Sequence, residues 1–233
     1  MTEGVAQGTP LPVAVLISGT GSNLGALIEA QSRWPYRIAA VISNQAGVLG
    51  LERARHAGIR TEVLSHRGFP DRADYDAALA GVIDRHAPGL VVLAGFMRIL
   101  TPAFAAHYAG RLLNIHPSLL PKFRGLHTHT RALEAGEREH GASVHFVTAE
   151  LDGGPVIMQA RVPVMPGDSP ADLAARVLAR EHRLYPRVVG WFAQGRLQLG
   201  EDGLVRLDGT VLDCPVVLEE PQATPDPETY PAT

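Results

Sequence analysis

The residues VAVLISGTGSNLG, at positions 13–25, contain the pattern that decides the fold. The first six, VAVLIS, are apolar almost without interruption, which predicts a strand buried on both faces of a sheet. The glycine, serine and asparagine residues that follow predict a tight turn into a helix that begins near Ser22. A buried strand, a turn and a helix are the first half of a βαβ unit.

The same alternation continues on the C-terminal side of this stretch. Apolar strand patterns recur in RIAAVIS (37–43), TEVL (61–64), LVVLAG (90–95) and RLLNIH (111–116). Helical patterns lie between successive strands from the first, at 13–18, to LVVLAG. SVHFVT (143–148) and VIMQARVPV (156–164) are typical of antiparallel strands, and an amphipathic helix is predicted over 170–194. We therefore predict an α/β fold with a doubly wound, mostly parallel sheet of Rossmann-like type and an antiparallel C-terminal edge.

The length of 233 residues suits one domain of good size. We expect a flexible N-terminal arm over residues 1–12 and a single domain over 13–212. A tail over 213–233, rich in proline and acidic residues, is expected to be disordered.

The composition excludes several classes of protein. The net charge of −3 gives no broad cationic surface for nucleic acid, and a single cysteine, Cys214, excludes an intramolecular disulfide. No apolar run approaches the ~18 residues of a membrane span, and the N-terminus lacks the order of a signal peptide. We expect a cytoplasmic protein with neither a nucleic-acid nor a membrane partner.

The glycine turn at residues 19–25 matches neither common nucleotide motif. A GxGxxG fingerprint would need glycine where Leu24 stands, and a P-loop would need a Gly-Lys-Ser/Thr sequence that the chain lacks. Backbone N–H groups at a helix N-terminus still suit a phosphate. We favour a monophosphate site formed by Gly21, Ser22 and Asn23, with an ordinary structural turn as the alternative.

The stretch 114–152 combines polar groups suited to catalysis. Asn114 and His116 are two residues apart at a strand end, so their side chains leave the same face. Asp152 precedes two glycines, in a turn that lets its carboxylate approach closely. An amide, an imidazole and a carboxylate can stabilise an oxyanion and move a proton without a metal.

Two other chemistries fit these residues less well. A metal site at His116, His127 and His129 lacks a suitably spaced acidic or cysteine ligand. Ser118 does not lie in a GxSxG elbow, which disfavours a serine hydrolase. We predict no metal site.

The segment AGFMRIL, at residues 94–100, is unusually apolar for a loop that follows a core strand. Either it packs against a helix, or Phe96, Met97, Ile99 and Leu100 line the wall of an apolar ligand pocket. Composition alone leaves both interpretations open.

Together these motifs resemble the phosphoribosylglycinamide formyltransferase family. The resemblance covers roughly residues 13–192 and is carried by ISGTGSNL, LERARHAGI, VVLAGFMRIL, LLNIHPSLLPKF, GLHTH, SVHFVT, ELDGGPVI and the EH–YP of the last long helix. It implies transfer of the formyl group of 10-formyltetrahydrofolate to the amine of 5-phosphoribosylglycinamide, in de novo purine biosynthesis. It also implies direct attack by the amine and a tetrahedral oxyanion intermediate, with the formyl-folate as co-substrate and no metal.

The resemblance assigns roles to individual residues. Asn114 and His116 would stabilise the oxyanion, His116 would move a proton, and Asp152 would hold His116 charged. The turn Gly21, Ser22 and Asn23 would bind the ribonucleotide phosphate, and Glu181 its ribose or glycinamide side. The implied folate-binding residues are Arg72, Met97, Arg98, Ile99, Leu100, Asn114, Thr148, Ala149, Glu150, Leu151 and Asp152.

The chain departs from the family pattern at three positions. Leu178 replaces a polar residue near the phosphate, so Arg176, Arg180 or the backbone donors are expected to supply the charge. Arg124 lies in a loop where an arginine is typical of a different formyltransferase, and Ala149 replaces an acidic residue.

Two alternative functions stay open, a formyltetrahydrofolate hydrolase and a non-catalytic binding module. We expect the protein to be a monomer or a homodimer.

Overall fold

In a computed structural model that describes residues 9–219, the chain forms a central sheet with helices on both of its faces. The helices are α1 (Ser22–Ala30), α2 (Leu49–His56), α3 (Arg72–Asp84), α4 (Pro102–His107), α5 (Thr128–Glu134) and α6 (Pro170–Ala193). The strands are β1 (Leu11–Ile17), β2 (Tyr36–Ser43), β3 (Arg60–Val63), β4 (Leu90–Leu93), β5 (Leu112–His116), β6 (Glu139–Phe146), β7 (Val156–Pro163), β8 (Leu197–Leu199), β9 (Val205–Leu207), β10 (Thr210–Val211) and β11 (Val216–Val217).

The main sheet has the strand order β11-β7-β6-β5-β4-β1-β2-β3. Strands β1 to β5 are parallel to one another, whereas β6 is antiparallel to both β5 and β7. Strands β8, β9 and β10 form a separate antiparallel sheet. The predicted fold class is confirmed: the main sheet is mostly parallel, with β6 antiparallel to its neighbours, and a small antiparallel sheet follows toward the C-terminus.

Two apolar layers cover the faces of the sheet. On one face the core includes Leu24 and Leu27 of α1 and Leu184 of α6, and on the other it includes Tyr75 of α3 and Phe104 of α4. Continuous apolar strands acquire helices on both sides because right-handed crossovers alternate between the faces.

The sheet changes winding direction beside β1, which pairs with β2 on one side and with β4 on the other. In open α/β sheets, ligands bind in the crevice at the carboxyl ends of the strands at such a switch point. The carboxyl ends of β1, β4 and β5 are therefore where a site is expected, and the polar motifs of the sequence follow β1 and β5.

The last long helix is fixed at its start by a capping box. The Ser169 Oγ accepts a hydrogen bond from the Asp172 N–H at 3.2 Å, and the Asp172 carboxylate accepts one from the Ser169 N–H at 3.0 Å. Such a cap satisfies two backbone N–H groups that the helix leaves unpaired. The helix carries Glu181 toward the glycine turn.

The structure differs from the sequence predictions in four places. Helix α4 was not predicted, because six residues are too few to show a helical period. Strand β6 begins at Glu139 rather than at residue 143, because Glu139 pairs with Pro163 of β7. Strand β1 begins within the predicted arm, at Leu11.

The fourth difference lies in the predicted tail, where β11 pairs with β7 and Leu218 is buried. The tail prediction is therefore wrong for the residues around β11, because Val216, Val217 and Leu218 cover the open edge of β7. The remainder of the predicted arm and tail, residues 1–8 and 220–233, lies outside the described residues.

Candidate active site

Three polar side chains predicted from the sequence meet at the carboxyl end of β5. The His116 Nδ1 lies 3.4 Å from the Asp152 Oδ2, and the Asn114 Nδ2 lies 3.5 Å from the Asp152 Oδ1. The His116 and Asp152 side chains are each only 8% exposed. The structure therefore brings together an amide, an imidazole and a carboxylate that the sequence separates by up to 38 residues.

Both ring nitrogens of His116 face acceptor groups. The Nε2 lies 2.9 Å from the Phe123 carbonyl, which can only accept, so the Nε2 carries a proton. The Nδ1 faces the Asp152 carboxylate. This arrangement suits the imidazolium, which donates from both nitrogens.

The turn between β6 and β7 positions Asp152. Asp152 has a φ of 48°, and its Oδ2 accepts a hydrogen bond from the Gly125 N–H at 2.9 Å. A Cβ at Gly154 would lie 1.9 Å from the Phe146 carbonyl oxygen, so only glycine allows the turn to fold this closely over the end of β6. The two glycines after Asp152 thus allow the carboxylate to reach His116.

His145 is a member of this cluster that the sequence analysis missed. It lies directly opposite Asn114 in the β5–β6 pairing, and its Nε2 is 3.1 Å from the Asn114 Nδ2. Its Nδ1 donates to the Phe146 carbonyl at 2.9 Å, which leaves the Nε2 as an acceptor for the Asn114 amide. Burial lowers the pKa of His145 to about 4, so the ring is neutral near pH 7.

A cleft of about 100 Å³, open to solvent on one side, lies beside this cluster. It is lined by Leu93, Phe96, Arg98, Ile99, Leu100, Asn114, His145, Val147, Thr148, Ala149, Glu150, Leu151 and Asp152. The structure therefore gathers most of the residues that the resemblance assigned to the folate around one space. The apolar segment 94–100 forms one wall, and the turn before β7 forms another.

Two residues assigned to the folate lie outside this lining. Met97 is 68% exposed, while its backbone N–H donates to the Ser18 Oγ at 2.8 Å. Arg72 is the first residue of α3, one turn before Tyr75. The Arg98 guanidinium lies 4.6 Å from the centre of the Tyr75 ring, so α3 packs beside one of the residues that line the cleft.

The glycine turn after β1 meets α6 at a second polar contact. The Asn23 Nδ2 donates to the Glu181 Oε2 at 2.7 Å, and both side chains are buried. Burial raises the pKa of Glu181. Gly21, the residue directly before α1, has a φ of 67°, and a Cβ there would lie 2.7 Å from the Gly50 Cα. Ser22 is the first residue of α1.

A positive charge that was not predicted contacts this turn. The Arg53 Nε of α2 donates to the Thr20 carbonyl at 3.0 Å. Arg176, one of the groups expected to compensate for Leu178, instead makes two 2.8 Å hydrogen bonds to the Asp168 carboxylate. No sequence pattern distinguishes Arg53, because it lies in an ordinary charged helix.

Helix α6 connects the Asn23–Glu181 contact to the strands that border the cleft. The Tyr185 hydroxyl lies 2.9 Å from the carbonyl of Leu93, the last residue of β4, and 3.0 Å from the carbonyl of Leu113 in β5. Glu181 precedes Tyr185 by four residues, which is about one helical turn or roughly 6 Å of rise. The Asn23–Glu181 contact therefore lies next to the cleft.

Arg124, the unusual residue of the loop after β5, forms an ion pair with Glu150. The pair joins that loop to the turn that carries Asp152. Within residues 9–219, no group of three His, Cys, Asp or Glu side chains is placed to hold a metal ion. In the same part of the chain, no helix combines the length and apolarity that a membrane crossing requires.

The sequence of this chain is similar to those of known formyl transferases. The profile of the formyl transferase family matches residues 11–189. The phosphoribosylglycinamide formyltransferase of Escherichia coli K12 is 60% identical over 199 residues, which is 84% of this chain and 93% of that protein. The human trifunctional purine biosynthetic protein adenosine-3 is 47% identical over 196 residues, which is 83% of this chain and 19% of that protein.

A solved structure of the phosphoribosylglycinamide formyltransferase from Coxiella burnetii is also similar. It has a TM-score of 0.86 and 52% identity, and the match covers 90% of this chain and 100% of that one. Identity and coverage at this level show common descent and a shared fold. The chain belongs to the formyl transferase family and, within it, to the phosphoribosylglycinamide formyltransferases.

Proposed function

We propose that this chain transfers the formyl group of 10-formyltetrahydrofolate to the amine of 5-phosphoribosylglycinamide, in purine biosynthesis. Its membership of the family supports the reaction. The observation that carries the mechanism is the meeting of Asn114, His116 and Asp152 at one end of the cleft. The roles of individual residues below are part of this proposal.

The reaction requires one proton to move between two nitrogens. The neutral amine attacks the formyl carbon, and the C=O electron pair becomes an oxyanion on a tetrahedral carbon. The amine nitrogen then loses a proton and N10 of the folate gains one. When the oxyanion re-forms the carbonyl, the bond from carbon to N10 breaks and the formyl group remains on the amine.

Asn114 is suited to stabilise the oxyanion. One amide N–H is held by the His145 Nε2 at 3.1 Å, whereas the contact of the amide nitrogen with Asp152 at 3.5 Å is long for a hydrogen bond. The second N–H is therefore available to the formyl oxygen. A donor fixed in advance stabilises developing charge without reorganising.

His116 and Asp152 are suited to the proton transfer. The carboxylate next to the Nδ1 stabilises positive charge on the ring, which in turn stabilises the oxyanion. A histidine can also pass a proton near neutral pH. We assign the proton movement from amine to N10 to His116.

The two substrates fit the two parts of the site. The cleft, with Ile99, Leu100 and Val147 in its wall, suits the flat ring system of a pterin, and the backbone of residues 148–152 offers polar groups to its edge. Gly21, Ser22 and Asn23 would hold the ribonucleotide phosphate, and Glu181 would hold its ribose or glycinamide side. Arg72 and Arg98 would lie toward the glutamate end of the folate, with Met97 at the rim.

The proposal extends to the organisation of the enzyme. We propose one catalytic domain built on the eight-stranded sheet, working in the cytoplasm as a monomer or a homodimer. A role in the biosynthesis of small molecules supports a location in the cytoplasm. Size-exclusion chromatography with light scattering would decide between the two oligomeric states.

The test is an absorbance assay of formyl-folate consumption, with and without glycinamide ribonucleotide and with no metal added. We expect consumption only when the ribonucleotide is present. His116→Ala should lower turnover by at least about 100-fold while leaving folate affinity within a few-fold. Arg85→Ala, an exposed residue at the end of α3, is the matched control and should keep normal turnover.

Other outcomes would exclude the proposal. Consumption that does not need the ribonucleotide would identify a hydrolase. Binding of folate without any consumption would identify a binding module. Normal turnover in His116→Ala would show that the proposed proton transfer is wrong.

A further inference from the structure

A short segment after β5 holds both members of the His116–Asp152 pair. The Phe123 carbonyl accepts from the His116 Nε2 at 2.9 Å, and the Gly125 N–H donates to the Asp152 Oδ2 at 2.9 Å. With the 3.4 Å contact between the His116 Nδ1 and the Asp152 Oδ2, these bonds close a ring of contacts. A shift of the segment 123–127 therefore moves both side chains relative to each other.

This segment has an unfavourable backbone conformation. Phe123 has a φ of 54°, Gly125 of 78° and His127 of 58°, all in the left-handed region. Phe123 and His127 are not glycine, and side chains with a Cβ adopt this region only when their surroundings hold them there. Contacts from outside the segment must therefore fix it.

Arg131 supplies such contacts from α5. Its Nη1 lies 2.6 Å from the Arg124 carbonyl and 3.4 Å from the Leu126 carbonyl, on either side of Gly125. Its guanidinium carbon lies 5.5 Å from the centre of the Phe123 ring. One charged side chain thus contacts three of the five residues in the segment, and bonds from a guanidinium to a carbonyl are stronger than neutral ones.

The ion pair of Arg124 with Glu150 is a weaker support. Its side chains are 38% and 65% exposed and Arg131 is exposed too, so water and salt screen both sets of contacts. It joins two side chains at the surface, whereas Arg131 binds the backbone carbonyls beside Gly125 directly. The contacts to the backbone make Arg131 the main candidate.

We propose that Arg131 is a positioning residue for formyl transfer. By binding the Arg124 and Leu126 carbonyls and the Phe123 ring, it keeps the Phe123 carbonyl on His116 and the Gly125 N–H on Asp152. Arg131 touches neither the cleft nor the proposed ribonucleotide contacts, so it acts through the loop. None of its contacts follows from the motifs of the sequence.

The test compares Arg131→Ala, Arg131→Lys and the native chain. Because this role rests on the formyl transfer proposed above, kinetics are combined with a spectroscopic readout. We expect Arg131→Ala to lower kcat by about 10- to 100-fold, as misplacement by about 1 Å does, with the KM of each substrate within about twofold. Arg131→Lys should recover part of the loss, because an ammonium can reach a carbonyl but lacks the planar fork.

The spectroscopic readout is the pair of ring ¹⁵N signals of His116 at pH 7. In Arg131→Ala we expect both signals to shift, because the Phe123 carbonyl and the Asp152 carboxylate are held less firmly against the two ring nitrogens. Arg85→Ala, which removes an exposed arginine of α3, should change neither kcat nor these signals.

Each remaining outcome decides the proposal. Native kcat and native ¹⁵N signals in Arg131→Ala would overturn it. A loss of kcat that only follows a loss of folded protein in circular dichroism, and that Arg131→Lys shares fully, would also overturn it by showing a structural role. If the native chain fails to formylate the ribonucleotide, the proposed function fails, and the ¹⁵N signals alone decide the role of Arg131.

Discussion

Asp152 is the residue whose contacts hold the proposed catalytic group together. Its carboxylate lies near the His116 Nδ1, the Asn114 amide and the Gly125 N–H. Asp152→Asn keeps the shape and removes the charge that favours the imidazolium. We expect kcat to fall by at least about 100-fold with only small changes in either KM.

Steady-state kinetics with both substrates would check this. Asp208→Asn is the control and should leave kcat unchanged, because Asp208 is an exposed carboxylate that pairs with Arg196 beside the small sheet. Activity of Asp152→Asn within a few-fold of the native value would show that the charge of Asp152 is not needed.

Glu181 is a second residue that can be tested alone. Its bond to the Asn23 amide links α6 to the glycine turn. Glu181→Gln keeps a polar side chain of the same size but loses the charged acceptor, which in proteins is worth about 1.5–3 kcal/mol. We expect the KM of the ribonucleotide to rise by roughly 10- to 100-fold and the KM of the formyl-folate to stay constant. A rise in the folate KM instead would place Glu181 in the wrong half of the site.

At the scale of elements, the glycine turn depends on how closely α2 approaches it. A Cβ at Gly50 would lie 2.5 Å from the Ile17 Cδ1 and 3.0 Å from the Gly19 carbonyl oxygen. Gly50→Ala must therefore push α2 away from the turn. We expect the free energy of unfolding to fall by about 1–3 kcal/mol and the KM of the ribonucleotide to rise.

Gly81 provides the matched control, since it lies in α3 with nothing within 4 Å of a Cβ. Gly81→Ala should raise the free energy of unfolding by about 0.5–1 kcal/mol and leave both KM values unchanged. Urea unfolding and steady-state kinetics of the two variants would measure this. Equal behaviour of the two variants would contradict a turn shaped by close packing.

Some elements could not have been predicted from local sequence. The apolar strands β1, β2, β4 and β5 are recognisable because burial on both faces removes polar residues from them. Strand β11, in contrast, contains only Val216 and Val217, and it forms because β7 offers an unpaired edge. Its existence depends on a partner that lies far away in the chain.

At the scale of the whole molecule, buried histidines make stability sensitive to acid. Burial lowers the pKa of His145 and of His140 to about 4, against 6.5 for an exposed histidine. Between these values the unfolded chain binds more protons than the folded one. The free energy of unfolding should therefore be constant above about pH 6.5, fall as the pH drops, and stop falling from this cause below about pH 4.

Urea unfolding at a series of pH values would measure this slope. His140→Asn removes one buried histidine outside the cleft, so the slope between pH 4 and 6.5 should decrease by up to about 1.4 kcal/mol per pH unit. An unchanged slope would show that His140 does not titrate with unfolding.

Site residues at the end of a strand or beside glycines could be predicted from the sequence. Site residues that meet only because two strands or a loop pack together could not. Asn114 and His116 are recognisable from their spacing at a strand end, and Asp152 from the glycines after it. His145 was missed because its role depends on the β5–β6 register. Arg131 and the Phe123 carbonyl were missed because a left-handed loop brings them to the site. Such contacts are set by tertiary packing, which no local pattern encodes.

The path of the formyl group can be followed directly. The native chain is mixed with both substrates, with the formyl carbon of the folate labelled with ¹³C, and the products are examined by NMR. We expect the label to appear as an N-formyl group on the glycinamide ribonucleotide, one for each folate deformylated. Label recovered as formate, or label that stays on the folate, would contradict formyl transfer at the Asn114–His116–Asp152 site.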